Sequence, residues 1–359
     1  MKAPTAESTS AIEIDGSIGE GGGQVLRSSL ALSLVTDRAL HIRNIRSRRS
    51  KPGLMPQHLK AVEAAAAIGM ARTEGAHLGS QSLTFEPGGT RSGRFEFDIG
   101  TAGSTSLVLQ TILPALSFGK DLSSVTVKGG THVPWSPCFH YLDLHWTRYM
   151  RKIGFELQLD MELAGFYPQG AGIVHAVVRP AGSVLPLSLI ERGALKRIHG
   201  ISAVANLDVS IAERQRNQAL SRLADRFPGV EITVLQMPSL FRGTMLLLIA
   251  EFEQSQCCYF GLGARGKPAE RVADEAVDQL LDFLSTDGAV DERLADQLIL
   301  PLAFASGLSK LRTSKVTQHL LTNAEVLRTC LSTDIQVTGD LGKPGLIEMS
   351  GTGLPERKP

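Results

Sequence analysis

Apolar and polar residues alternate over 12–15 (Ile-Glu-Ile-Asp), which predicts a short strand with one buried face. Glycines follow at 16, 19, 21, 22 and 23. Leu26, Leu30 and Leu34 then recur every four residues, the period of one helix face. The scheme returns further on. Residues 95–99 alternate as a strand, Gly100 and Gly103 follow, and Leu109, Leu113 and Leu116 line a second helix. A third copy of that helix starts near Val290 and carries Leu294, Leu298 and Leu302.

Two of these helices share a detail. Gln110 precedes Pro114 by four residues, and Gln297 precedes Pro301 by four, at a common offset of 187 residues. A proline inside a helix cannot donate to the carbonyl four residues back, which in each copy belongs to the glutamine. An internal repeat accounts for the pair. Each copy also predicts a second helix: one from about 57 to Gly69, one from about Pro137 with Leu142, Trp146, Tyr149 and Ile153 on one face, and one from about Gln318. Gly69 and Gly154 are helix-ending glycines 85 residues apart, which sets the period. Strands follow the second helices over 82–86, 155–159 and 173–179.

The third copy does not begin where this period puts it. Between 184 and 286 the pattern is different: strands over 203–208, 231–235, 244–253 and 258–261, with helices over 211–226 and 269–284. This predicts a small α/β domain inserted into the third repeat. The expected organisation is a leader over 1–11, a large domain over 12–183 and 287–359, and the insert over 184–286.

The length suits two or three core-forming units. With 43% hydrophobic and 20% charged residues, disorder of the whole chain is excluded. The formal net charge of +1 excludes a global polycation, so a nucleic-acid site must be a local basic patch. Four cysteines form no C-x-x-C, and the start of the chain has no apolar segment of the signal-peptide kind. Both fit a reducing, cytoplasmic setting. The apolar run 245–250 is far too short for a membrane helix.

Several constellations could carry chemistry. The loop 16–23 offers backbone N–H groups at a helix N-terminus, which suits phosphate, although it matches neither common nucleotide-binding glycine pattern. Glu20 within it could hold a divalent cation between phosphates, or be a solvated loop acid. Arg27 lies one turn into the following helix, where a surface ion pair is the plain alternative. Arg43, Arg46, Arg48, Arg49 and Lys51 form a basic run suited to phosphate contacts or simply to solvent. His132, Cys138, His140 and His145 crowd together, but their spacing fits no common zinc site. His319 is surrounded by Ser314, Lys315, Thr317, Gln318, Thr322 and Asn323, whose hydroxyls and amides could fix its tautomer.

Six separated motifs, in order, carry a family resemblance. They are Asp15-Gly-Ser-Ile-Gly-Glu-Gly-Gly-Gly-Gln-Val-Leu-Arg27, Arg49-Ser-Lys-Pro-Gly-Leu54, Gln57-His-Leu59, Leu107-Val-Leu-Gln110, Leu294-Ala-Asp-Gln297 and His319-Leu-Leu-Thr-Asn323. From about residue 12 to 348 the chain resembles the RNA 3′-terminal phosphate cyclases. The resemblance implies an α/β (α+β) fold of three βαβαββ-type units similar to the C-terminal domain of translation initiation factor three, with a small thioredoxin-like insert. It implies ATP as a substrate, Mg²⁺ or Mn²⁺, and RNA bearing a 3′-terminal phosphate. It implies a soluble monomer or homodimer. His319 would be the nucleophile, forming a histidyl-AMP phosphoramidate, and Glu20 would bind the metal. Arg27, Arg49 and Gln57 would lie around phosphates. Gln110, Pro137, Arg293, Leu294, Ala295, Asp296 and Gln297 would form the nucleotide pocket.

Two departures from the family pattern stand out. Arg293 occupies a position often aromatic in relatives, where it stacks on adenine. Ala171 falls in a glycine-rich turn where φ > 0 is needed, at a cost of about 1 kcal/mol. The competing readings are a non-catalytic relative acting in ribosome assembly, an enolpyruvyl transferase built from similar repeats, and a plain RNA-binding module. His319 and the Glu20 loop favour the cyclase.

Overall fold

In β1 (Ile12–Asp15) both isoleucines are buried and both acids exposed. It is followed by α1 (Gly23–Thr36), β2 (Leu40–Arg43), α2 (Pro56–Gly69), β3 (Arg72–Glu74) and β4 (Leu83–Glu86). The four strands make one sheet in the order β1-β2-β4-β3; β1 and β2 are parallel and the other pairs antiparallel. This computed structural model describes residues 11–331 and 333–354, so nearly all of the expected leader lies outside the described residues.

The next segment repeats the arrangement. β5 (Arg94–Asp98), α3 (Thr105–Ser117) and β6 (Ser123–Gly129) lead into α4 (Phe139–Tyr141), a π turn (Leu142–Trp146) and α5 (Thr147–Lys152). β7 (Glu156–Leu163) and β8 (Gly172–Arg179) complete a sheet ordered β5-β6-β8-β7, with the same parallel and antiparallel pairs. The single 3.6-period helix expected from Pro137 is therefore interrupted. The four residues placed on its inner face are all buried, but a π turn adds a residue between the first two of them.

A two-residue strand, β9 (Ser188–Leu189), opens the third sheet. The chain then leaves to form β10 (Leu195–Ala205), α6 (Ser210–Leu223), β11 (Glu231–Gln236), β12 (Gly243–Phe252), β13 (Gln256–Leu262) and α7 (Ala269–Leu284). It returns with α8 (Glu292–Leu302), β14 (Leu308–Thr313), α9 (Gln318–Leu331), β15 (Ile335–Thr338) and β16 (Gly345–Ser350). Ser188 and Leu189 pair in parallel with Lys310 and Leu311. The third sheet thus starts before the intervening segment, near the position the period gives, and not after Gly288. Two residues are too few for alternation to reveal a strand. β10 also starts well before the expected 203–208, and Asp208 lies beyond it, accepting from the Ser210 backbone N–H at the start of α6 at 2.9 Å.

The helices gather at the centre. α1 packs against α2, α3 and α9, and α8 against α9. The one-sided face expected for α1 is therefore too narrow: Val25, Leu26 and every residue from Ser28 to Leu34 are buried. A helix covered by its own sheet on one side and by neighbouring helices on the other has no solvent face. The segment after β9 forms its own sheet, β11-β10-β12-β13. Met245, Leu247 and Ile249 of β12 face the main core, while Leu246, Leu248, Ala250 and Phe252 face a second core under α6 and α7. That two-sided burial explains the continuous apolar run 245–250. Among the described residues no helix is long and apolar enough to cross a membrane.

Candidate active site

α3 and α8 face each other across a cavity of about 510 Å³, in the range of small-ligand sites. Each helix is capped by a side chain at the same offset as the Gln–Pro pairs. Ser104 accepts from the Leu107 N–H at 3.3 Å, and Asp291 accepts from the Leu294 N–H at 2.9 Å. Gln110 and Pro114 line one wall; Gln297 and Pro301 line the other.

His319 sits in the first turn of α9 at the mouth of this cavity. Its partner is on α1. Gln24 Nε2 donates to Asp296 Oδ1 at 2.6 Å, which orients the amide so that its oxygen meets His319 Nδ1. Nδ1 therefore donates to the Gln24 oxygen, and Nε2 is turned the other way, toward Glu20. Asn323 holds the same helix pair from behind: it accepts from Ser28 Oγ at 2.6 Å and donates to the Asp296 carbonyl at 3.1 Å. Burial raises the Asp296 carboxyl above its ordinary value, against the lowering influence of His319 and of its hydrogen bonds.

His319 Nε2 lies 3.2 Å from Glu20 Oε2, and Arg49 Nη2 lies 3.4 Å from the same oxygen. The glycine loop makes this approach possible. Gly19 has φ +57°, and a Cβ there would stand 1.9 Å from Thr322 Oγ1 on α9. A Cβ on Gly23 would strike the His58 ring at 2.3 Å. His58, pushed down to about 3 by burial and by the Arg27 and Arg46 charges, is a neutral prop under the loop. Arg27 is no surface ion pair. It lines the cavity beside Asp296, and burial pulls its guanidinium down to about 10.

A family model described as RNA 3′-terminal phosphate cyclase matches residues 18–337. The chain belongs to that family. A cyclase of this name from Staphylothermus marinus is 42% identical over 353 residues, covering 96% of this chain and 99% of that protein. One from Pseudomonas fluorescens is 44% identical, covering 90% and 94%. Among solved structures, the enolpyruvyl transferase NikO from Streptomyces tendae aligns at 12% identity and a TM-score of 0.39, over 97% of this chain and 50% of its own. The RNA 3′-terminal phosphate cyclases are enzymes, and so is this chain.

Of the residues that resemblance to the cyclase family nominated, Arg27, Gln110, Pro137, Arg293, Asp296, Gln297 and His319 all line the cavity. Glu20 stands outside the lining beside His319, and Arg49 beside Glu20. Leu294 and Ala295 do not reach it: both are fully buried on the other face of α8. Gln57 stands at the start of α2 beside Gly103, away from the lining residues. Within the basic run, Arg46 turns inward and donates to the carbonyls of Lys51 and Gly53. Ala171 does take φ +59°.

Sequence reasoning missed Gln24 as the tautomer-fixing group, because it looked to the neighbours of His319 in sequence. The orienting amide comes from the opposite end of the chain. The crowded histidines resolve into two separate structures. His132 Nε2 meets His140 Nδ1 at 2.9 Å, and burial lowers both, His140 to about 4. His145 pairs with Asp291 at 2.6 Å in the core.

A divalent cation fits this site only in one way. No group of three or more His, Cys, Asp or Glu side chains gathers among the described residues. Mg²⁺ keeps several waters and is satisfied by one or two carboxylates plus substrate phosphates. Glu20, partly exposed between Arg49 and His319, would supply one such carboxylate.

Proposed function

We propose that the enzyme converts the 3′-terminal phosphate of RNA to a 2′,3′-cyclic phosphate at the expense of ATP, with His319 as the nucleophile. The observation that carries this is the Asp296–Gln24–His319 relay, which leaves Nε2 as the ring's nucleophilic atom at the mouth of the cavity. Nε2 attacks the α-phosphorus, a P–N bond forms and pyrophosphate leaves. An oxygen of the RNA 3′-phosphate then attacks the same phosphorus, the P–N bond breaks and an RNA-adenylate results. The neighbouring 2′-hydroxyl, losing its proton, attacks the RNA phosphorus and expels AMP. Adenylylation gives the RNA phosphorus a good leaving group, AMP, which the cyclisation then uses.

Arg27, at the cavity wall, and Arg49, beside Glu20, are placed to hold phosphate oxygens. A cation held by Glu20 would neutralise phosphate charge and occupy the carboxylate that otherwise meets Nε2. The nucleoside would enter between Pro137 and the α8 wall. We also read the three like-ordered sheets as copies of one βαβαββ unit, and the segment after β9 as a separate insert, thioredoxin-like in its elements.

The test is incubation with α-³²P-labelled ATP and Mg²⁺, followed by a denaturing gel. An acid-labile, alkali-stable label on the protein is expected; folded protein that takes no label with several metals tried overturns the reading. Glu20→Ala is expected to raise the Mg²⁺ concentration needed for half-maximal labelling by about tenfold, as for loss of one ligand-shell group. An unchanged titration removes Glu20 from the metal site.

A further inference from the structure

Trp135 is 99% exposed, whereas Trp146, the other tryptophan of the chain, is 2% exposed. Tryptophan is highly buried on average, so a wholly solvated indole is unusual. Its backbone is unusual too: φ is +66°, a left-handed value that a residue with a Cβ adopts only at a cost. Trp135 belongs to the cavity lining that also includes His319.

Two further loops adjoin that of Trp135, and the buried Phe166 holds the three together. Its ring stacks on His132 at 5.0 Å with the planes 21° apart, and its backbone bridges to the same residue. A Cβ on Gly243, at the start of β12, would stand 2.1 Å from the Phe166 ring. The Ala164 N–H donates to the Pro238 carbonyl at 2.8 Å. Loops 131–137, 164–170 and 238–243 are therefore neighbours. Each carries an exposed aromatic: Trp135, Tyr167 at 68% and Phe241 at 38%, with exposed Arg242 next to the last.

We infer that these three aromatics and Arg242 form a stacking track for the single-stranded 3′ end of the RNA, with Trp135 taking the base nearest the cavity. The inference rests on the cyclase reading above and adds where its second substrate lies. With ATP in the cavity, the RNA brings its 3′-phosphate to His319 from outside, so the adjoining base falls at the cavity mouth. Every unstacked base has a π face, which aromatic and guanidinium planes hold whatever the sequence. Arg242 adds a charge for the phosphate backbone. Polar Ser136, Gln169 and Ser239 lie among the rings in these loops, which suits separate bases better than the apolar core of a protein interface.

Because Trp146 is buried, solvent-exposed tryptophan emission reports Trp135. The first test titrates 3′-phosphorylated oligo(A) of about eight nucleotides into the protein without ATP. Saturable quenching is expected in wild type and not in Trp135→Phe. In the second test, Trp135→Ala, Tyr167→Ala and Phe241→Ala should each raise the RNA concentration for half-maximal cyclisation by about tenfold, the effect of one lost stack, and Trp135→Phe should restore most of it. Labelling by α-³²P-labelled ATP without RNA should be unchanged in Tyr167→Ala and Phe241→Ala. An RNA requirement unmoved by Trp135→Ala would overturn the inference, as would no quenching, or equal quenching by a blunt RNA duplex, whose bases are already stacked. A loss of ATP labelling alone in Trp135→Ala would make the indole a lid on the nucleotide, and an emission change with protein concentration alone would make the patch a contact between copies; either overturns it. The quenching is read without ATP. Absence of label from ATP therefore counts against the nucleotidyl-transfer reading, and absence of quenching beside normal labelling counts against the track alone.

Discussion

His319→Ala is expected to abolish transfer of label from ATP to the protein and to lower RNA cyclisation by roughly four orders of magnitude or more, as removal of a covalent nucleophile does. The fold should persist. The side chain is half-exposed at a helix start, its ring contacts are Gln24 and Glu20, and no core packing depends on it. His319→Asn tests the same step with a polar replacement and should be equally inactive. Circular dichroism and urea midpoints near wild type, together with loss of label, establish the role. Full cyclisation by either variant would remove His319 from the chemistry. Gln24→Ala should act through His319: it frees the ring to adopt the other tautomer, so the labelling rate falls while ATP affinity changes little. A loss confined to ATP affinity would make Gln24 a binding residue only.

The second large effect is on stability. Asp291 is fully buried, caps α8, accepts from Tyr141 Oη at 3.0 Å and pairs with His145 at 2.6 Å. His145 in turn meets Gln256 of β13 at 2.9 Å, and Gln256 is tied to Tyr149 and Arg148. The network joins the π turn, the sheet of β10 to β13 and the helix that carries Arg293, Asp296 and Gln297. Removing one partner of such a buried pair leaves the other uncompensated, so Asp291→Ala should cost about 3–5 kcal/mol in urea unfolding. A cost below about 1 kcal/mol would mean the network is structurally idle.

The pH dependence follows from the same group. Burial pushes the Asp291 carboxyl up, but the His145 charge and the hydrogen bonds from His145 and the Leu294 N–H bring it below its ordinary value. A lowered folded-state value means the contribution is complete above about pH 4, the unfolded range, and is lost as pH falls through the lower folded value. Stability of the wild type should therefore fall in acid more steeply than that of Asp291→Asn. Parallel acid profiles would remove Asp291 from the transition.

Much of this was readable from residues alone. Alternation and four-residue spacing located α1, α3 and α8, because a half-buried strand or a leucine-lined helix writes its period into the chain. The shared Gln–Pro offset placed two helices in like positions, and the structure sets them on facing walls of one cavity. The glycine loop and His319 were legible because φ > 0 and close backbone approach demand glycine, and because histidine among small polar residues is chemically conspicuous. The limits were equally physical. β9 has two residues and no period. The π turn inserts one residue, which 3.6-fold spacing cannot register. Leu294 and Ala295 sit between Arg293 and Asp296 in sequence, yet a helix turns them about 100° away per residue, into the core.

The sequence by itself determined the mixed α/β class and the family, and it singled out His319 as a candidate, since these depend on residue types and local spacing. Only the tertiary structure decided which ring nitrogen of His319 meets Gln24 and which faces Glu20. Gln24 and His319 are 295 positions apart, and no local rule connects them. The same holds for the buried pair of His145 and Asp291, 146 positions apart. Whether a polar atom is left without a partner is a property of everything packed around it, and that exists only once the three sheets and the segment after β9 have closed on one another.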